Sequence, residues 1–227
     1  MSGGHSHRGT IHLEDGELLG QQPWPGGQFV LRLRAPRCAA DARPGSFVHL
    51  SCDPWLPMRR PLSIQRADAA AGWIEILYKV VGQGLAALSH AQPGARLSCL
   101  GPIGHGFEPL TTRPRALLIG GGVGIPPLVF LAEILKQRAA EGFWPLLLMG
   151  SEVAFPFRLR PSSLLVAGMP AAASAGLALL DEWGVPSRLA SGHDVPGSYR
   201  GLVTELAAEW LATLDPGALT EIGRAHV

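Results

Sequence analysis

The sequence predicts a β-barrel followed by an α/β unit built on a parallel sheet. Three observations carry this reading. The first half alternates apolar and polar residues in short runs separated by tight-turn dipeptides. The second half places fully apolar runs between stretches of helical period, the pattern of strands covered on both faces. The change of regime falls at TTRP, residues 111–114.

In the first half, Phe29-Val30-Leu31-Arg32-Leu33-Arg34 sets Phe29, Leu31 and Leu33 on one face and the arginines on the other. Residues 47–51, 62–65, 73–81 and 96–100 read as further short strands. Pro44-Gly45, Ala71-Gly72 and Pro93-Gly94 punctuate them. Strands at this spacing suit a small closed barrel of Greek-key type. In the second half, 115–119 is an apolar strand running into a glycine turn. A helix follows, with Leu128, Leu131, Ala132 and Leu135 on one stripe. Residues 145–149, 164–167 and 185–190 read as three more strands. Helical patterns occupy 171–183 and 202–214, the latter with Val203, Leu206, Ala207, Trp210, Leu211 and Leu214 on one face. The expected segments are a polar extension with the first strand region (1–26), the barrel (27–110) and an incomplete α/β unit (111–220).

Composition narrows the function. The 227 residues carry a formal net charge of +1, so no basic excess points to nucleic acid or an anionic membrane. Two uncharged apolar runs, 116–132 and 164–180, are interrupted by glycine and proline. They read as buried strand, turn and helix rather than membrane spans. The opening residues are polar and lack an apolar signal core, which makes a cytoplasmic protein the expectation. His5, His7 and His12 read as a mobile, solvated terminus rather than a metal site. Cys38, Cys52 and Cys99 cannot all pair and show no CxxC spacing, which argues against a disulfide framework or a zinc site. They are also too few for an iron–sulfur cluster within these residues.

Two motifs carry chemistry. Gly120-Gly121-Gly122-Val123-Gly124-Ile125-Pro126-Pro127 lies between a strand and a helix, where glycines admit a phosphate and helix-start N–H groups bind anions. It is not GxGxxG, and no Lys-Ser/Thr follows, which excludes a triphosphate P-loop. Taken alone, the turn serves equally to seat a helix on a sheet. Met58-Arg59-Arg60-Pro61-Leu62-Ser63-Ile64 puts two cations and a hydroxyl at the head of an apolar strand. There an arginine fork can take a phosphate and the serine a polar ring edge.

Together these segments resemble the ferredoxin–NAD(P)H reductase superfamily, and within it the electron-transfer subunit of NAD-linked dihydroorotate dehydrogenase. PGSFVHL (44–50), RRPLSI (59–64), LYKVVGQGLAALS (77–89), LGPIGHGF (100–107), LLIGGGVGIPPLVFLAE (117–133) and, more weakly, GLVTELA (201–207) carry the likeness. The resemblance implies FAD bound by Arg60, Pro61, Leu62 and Ser63, with Leu77, Tyr78, Lys79, Gly84 and Leu85 completing the site. It implies NAD(P) on the turn of Gly120, Gly121, Gly122, Gly124 and Pro127, and hydride exchange between the two cofactors where the domains meet. Leu85 stands where a threonine is usual, Leu62 where free-standing reductases often carry an aromatic, and Pro126 where a small residue is customary. No catalytic acid, base or nucleophile is implied, and His105 reads as a loop residue with no proton to move. The implied partner is a catalytic dihydroorotate dehydrogenase subunit. The implied third cofactor, a [2Fe–2S] cluster, is expected only in the full-length protein. A free-standing FAD-dependent NAD(P)H:acceptor reductase and a non-enzymatic nucleotide-binding module are the alternatives.

The last seven residues, EIGRAHV (221–227), fit no helix or strand pattern. They match one reading frame of a common sequencing-adapter oligonucleotide, GAG-ATC-GGA-AGA-GCA-CAC-GTC. The gene is therefore expected to have been cut at a read or contig end, with the native sequence stopping near Thr220, a natural short C-terminus being the alternative.

Overall fold

Six strands close the first half into an antiparallel barrel: β1 (His12–Trp24), β2 (Gln28–Arg34), β3 (Phe47–Leu50), β4 (Arg60–Asp68), β5 (Trp73–Lys79) and β6 (Arg96–Ile103). Their order is β1-β2-β5-β4-β3-β6. The computed structural model describes residues 9–53, 55–56, 58–109, 112, 115–214 and 222–224, and the chain divides into two units, the second taking Trp24–Gly26 as well as everything after Phe107. In β2 the alternation works as the sequence suggests: Leu31 and Leu33 are buried, Arg32 and Arg34 exposed. Val48, Leu50, Ile64, Ile74 and Ile76 join them in the barrel core.

β1 begins well ahead of residue 27, where the sequence suggested only an extension and the first strand region. Its outward charges meet neighbours across the sheet, Asp15 with Arg96 at 3.1 Å and Glu17 with Arg34 at 3.6 Å. Inward, Leu18 is fully buried, and Gly16 lies so close to Leu33 that a Cβ would stand 2.9 Å from it. His12 is not part of a mobile tail: it opens β1 and holds Asp41 at 2.7 Å. His5 and His7 lie outside the described residues.

Two short helices decorate the barrel. In α1 (Pro36–Asp41) no side chain of its own caps the start; the Glu14 carboxylate accepts from the N–H groups of Arg37 (3.0 Å) and Cys38 (2.6 Å) instead. In α2 (Gly82–Ser89) the far end is held from β1. The Gln21 amide donates to the carbonyls of Leu88, Ser89 and Ala91 at 3.0–3.1 Å, while its oxygen accepts from the Tyr78 hydroxyl at 2.9 Å.

The second unit carries a five-stranded parallel sheet in the order β12-β11-β8-β7-β13. Its strands are β7 (Arg115–Gly121), β8 (Trp144–Ser151), β11 (Ser187–Ser191), β12 (Tyr199–Arg200) and β13 (Ile222–Arg224). Between β8 and β11, β9 (Leu159–Pro161) and β10 (Ala175–Leu177) form a two-stranded antiparallel pair. α3 (Ile125–Gln137) covers one face of the parallel sheet through Leu128, Val129, Leu131 and Leu135 against Leu147, Met149 and Leu189. α5 (Val203–Leu211) covers the other through Leu206 and Ala207 against Leu117, Leu146, Leu148 and Ala190.

Two expectations fail here for physical reasons. Residues 164–167 form no strand. The Leu164 carbonyl accepts from the buried Arg188 guanidinium at 2.6 Å instead of from a neighbouring strand, and Leu165 is 96% exposed. Residues 171–183 are helical only in α4 (Ala178–Glu182), because the Ser187 hydroxyl takes the Leu177 N–H and the chain before it pairs with β9. Nearby, the Asp181 carboxylate is buried and receives Arg160, both Ser162 and Ser163 hydroxyls and the Ser163 N–H. At the end of the chain, Ile222–Arg224 do adopt strand geometry, in parallel register with Leu117–Ile119. Main-chain pairing of this kind requires no side-chain pattern.

Candidate functional site

In the barrel, the paired register of β4 with β5 runs from Asp68↔Trp73 to Ile64↔Ile76. Arg60–Ser63 and Leu77–Lys79 continue past it, so two strand ends part where the sequence placed its flavin residues. α2 starts just after β5. Its N-cap, Val81, is extended and supplies no capping side chain, and Gly82 has φ +71°, a conformation natural only to glycine. Among the described residues, no side chain caps the first turn of α2.

Arg60 reaches that helix end. Its guanidinium lies so close to Gly84 that a Cβ there would stand 3.2 Å from Nε, so a larger residue would make the arginine give by a few tenths of an ångström. A cation beside a helix amino terminus gathers positive potential and free amide donors in one place, which suits a phosphate. The same charge reaches Cys52: burial pushes its thiol up to about 11, against the lowering pull of Arg60.

The other expected residues divide. Ser63 is half-buried and paired with Phe47, and Pro61 is exposed opposite His49. Leu62 and Leu85 are buried, each 8% exposed. Leu77 is buried and Lys79 exposed. The Tyr78 ring is buried and stacked on Phe29 with centroids 5.4 Å apart, and its hydroxyl is committed to Gln21. Burial also pushes the Tyr78 hydroxyl upward, keeping it a neutral donor. The two arginines of the motif separate: Arg59 turns to Ser98 Oγ at 2.9 Å, leaving its buried Nε unpartnered. The segments PGSFVHL and LGPIGHGF meet, with the Phe107 N–H on the Pro44 carbonyl at 2.9 Å and a Gly45 Cβ position 3.2 Å from the Phe107 ring. His105, beside them, is exposed.

In the α/β unit the glycine turn ends β7 at the carboxyl edge of the parallel sheet. This edge is where α/β sheets bind ligands. A Cβ on Gly120 would lie 2.5 Å from Leu128 Cδ1 and 3.0 Å from the Gly124 carbonyl oxygen, so this glycine seats α3 on the sheet. Gly122 has φ +53° with open space around its Cβ position, and Gly121 and Gly122 are exposed. Gly124 is the buried N-cap of α3, whose start has no capping side chain. Pro126 and Pro127 are buried in its first turn and bring no N–H, so the donors facing outward belong to the glycines. Gly120→Val is expected to destabilise this unit by about 3 kcal/mol through overpacking against Leu128, read by urea unfolding.

Sequence reasoning did not recognise α2 as a helix, nor Gln21 as its brace. Leu85 and Leu88, three apart and both buried, were the available helical signal. Among the described residues no helix is long and apolar enough to cross a membrane, and no group of three metal-ligating side chains occurs.

No protein-family model matches the chain. It is 45% identical over 120 residues to the dihydroorotate dehydrogenase B (NAD(+)) electron transfer subunit of Geobacillus thermodenitrificans, covering 50% of this chain and 46% of that protein. To the subunit of the same name from Streptococcus thermophilus it is 37% identical over 134 residues, 58% of this chain and 52% of the other. The chain thus spans about half the length of these curated relatives. Among solved structures, an NADH-dependent reduced ferredoxin–NADP oxidoreductase superposes with TM-score 0.66 at 22% identity, over 88% of this chain and 64% of that one. The ferredoxin reductase of carbazole 1,9a-dioxygenase gives 0.63 at 20% identity, over 85% and 54%. The chain therefore has the fold of ferredoxin-reductase-type flavoproteins, and over about half its length its sequence is similar to dihydroorotate dehydrogenase B electron transfer subunits.

Proposed function

We propose that the chain binds FAD in its barrel and NAD on its α/β unit, and passes electrons between NAD and a catalytic dihydroorotate dehydrogenase subunit in pyrimidine synthesis. The observation that carries the proposal is the Arg60 guanidinium set against the uncapped start of α2, in a chain whose relatives are named as that electron transfer subunit. FAD, when bound, supplies the interchange between two-electron hydride chemistry and one-electron transfer. The chain's own residues bind and orient. Arg60 and the first-turn amides of α2 hold the pyrophosphate, the Gly84 and Leu85 N–H groups standing in for the absent hydroxyl. Ser63 offers its hydroxyl to the polar edge of the flavin ring, and Leu77–Lys79 contribute backbone because the Tyr78 side chain is committed inside. The glycines 120–124 approach the nicotinamide dinucleotide with their amides. The same reading gives the full-length protein a [2Fe–2S] segment and a cytoplasmic location, with 27–110 and 111–220 as the cofactor-binding segments.

Purified protein supplied with FAD should turn yellow, quench flavin fluorescence on binding, and bleach anaerobically with NADH. Protein that stays colourless after FAD is supplied would sink the flavin assignment. Bleaching followed by electron transfer to a co-expressed catalytic subunit supports the subunit role. Efficient reduction of ferredoxin, with no binding to such a subunit, points to the free-standing reductase instead.

A further inference from the structure

β3 carries a histidine to which the flavin reading gives no task. Val48 and Leu50 point into the barrel and are fully buried, so Phe47 and His49 stand on the outer face of the same strand, both half-buried. Their rings lie 5.6 Å apart, tilted by 45°. The register sets His49 between Pro61 of β4 and Leu100 of β6, and Phe47 opposite Ser63. The His49 imidazole thus stands among apolar neighbours. Among the described residues it makes no hydrogen bond or ion pair.

We propose that His49 donates a hydrogen bond to the N1–C2 carbonyl edge of the flavin ring and so favours its reduced form, an inference that rests on the reading of the barrel as the FAD site. Its placement follows from order along β4. In that reading Ser63 takes the polar edge of the ring and Arg60 the pyrophosphate, so the ribityl chain joining them runs past Pro61. N1 and the C2 carbonyl are the part of the polar edge nearest the ribityl attachment. His49 is directly opposite Pro61 and diagonal to Ser63, a spacing of about 7–8 Å across the sheet. Imidazole and hydroxyl therefore reach one edge of the same planar ring from neighbouring strands.

The chemistry is electrostatic. When electrons arrive from NADH, negative charge gathers at N1 and the C2 oxygen. A donor fixed there stabilises the charged form more than the neutral oxidised form. Phe47, Pro61 and Leu100 around the imidazole lower the local dielectric, which strengthens that preference. No proton has to leave His49, because a neutral N–H is donor enough.

The test titrates oxidised and, anaerobically, reduced FAD into cofactor-free protein by calorimetry, and measures the midpoint potential of the bound couple by spectroelectrochemistry. His49→Phe keeps the ring and removes the donor. It is expected to weaken reduced FAD about tenfold more than oxidised FAD, which lowers the potential by about 30 mV for a two-electron couple. His49→Gln, which retains an N–H donor, should recover part of that shift. The proposal is overturned if His49→Phe changes both affinities by one factor, as a packing residue would, or changes neither. A parent protein that binds both forms while the variants show no differential shift overturns the role of His49 alone. A parent protein that binds neither form overturns the flavin reading itself, and this inference with it.

Discussion

Arg60→Ala is expected to weaken FAD binding by roughly 10- to 100-fold, the worth of charge-assisted hydrogen bonds to a phosphate. The loss follows from the position of the guanidinium, which the glycine at 84 brings against the start of α2. Arg59→Ala serves as the comparison, because Arg59 is turned to Ser98 on another strand. Its FAD affinity should stay near that of the parent, although both changes remove one positive charge. Fluorescence titration with FAD reads both. Equal losses in the two variants would show that general charge rather than the Arg60 cradle holds the cofactor. Gly84→Val, whose side chain crowds the guanidinium, should also weaken FAD binding, by less than Arg60→Ala does.

Asp181→Ala is expected to destabilise the α/β unit by about 3 kcal/mol, as removal of one partner from a buried charged network does. Arg160 donates to this carboxylate at 2.9 and 3.1 Å, the Ser162 hydroxyl at 2.6 Å, and the Ser163 hydroxyl at 2.9 Å. Burial alone would raise the Asp181 pKa, but these donors outweigh it and bring the value down to about 2, from 3.8. A carboxylate lowered on folding stabilises the native state above its unfolded value. Stability from Asp181 is therefore present above about pH 4 and is lost as the pH falls towards 2. Urea unfolding of parent and Asp181→Ala across this window checks both statements. The gap between them should narrow on acidification, and a gap that stays constant would show that charge plays no part.

Much of the architecture could be read from residue order because side-chain period and burial agree there. The Leu31 and Leu33 face of β2 and the α3 stripe of Leu128, Leu131 and Leu135 are examples. β1 was hard to see as a barrel wall because LEDGE carries its charges into cross-strand ion pairs, a tertiary property. The apolar run 164–167 looked like a strand, yet a buried arginine from β11 takes its carbonyl. The Ala-rich run ahead of α4 looked helical, and the Ser187 hydroxyl overrides it. At the candidate site, residue types single out Arg60 and the glycines as binding candidates. The fold adds that Tyr78 is committed inward and that Arg59 and Arg60 part company.

The brace from Gln21 has a thermodynamic consequence. One amide fixes the carboxyl end of α2 from β1, while the N-cap of the same helix offers its amino end no side-chain acceptor. If the proposed site is right, this brace orders α2 before the cofactor arrives, and association need spend less binding energy on ordering its donors. Conformational entropy surrendered during folding replaces entropy that binding would otherwise have to lose. Cofactor-free protein should accordingly show α2 amides as well protected from hydrogen exchange as the neighbouring strand β5, and Gln21→Ala should lower that protection first.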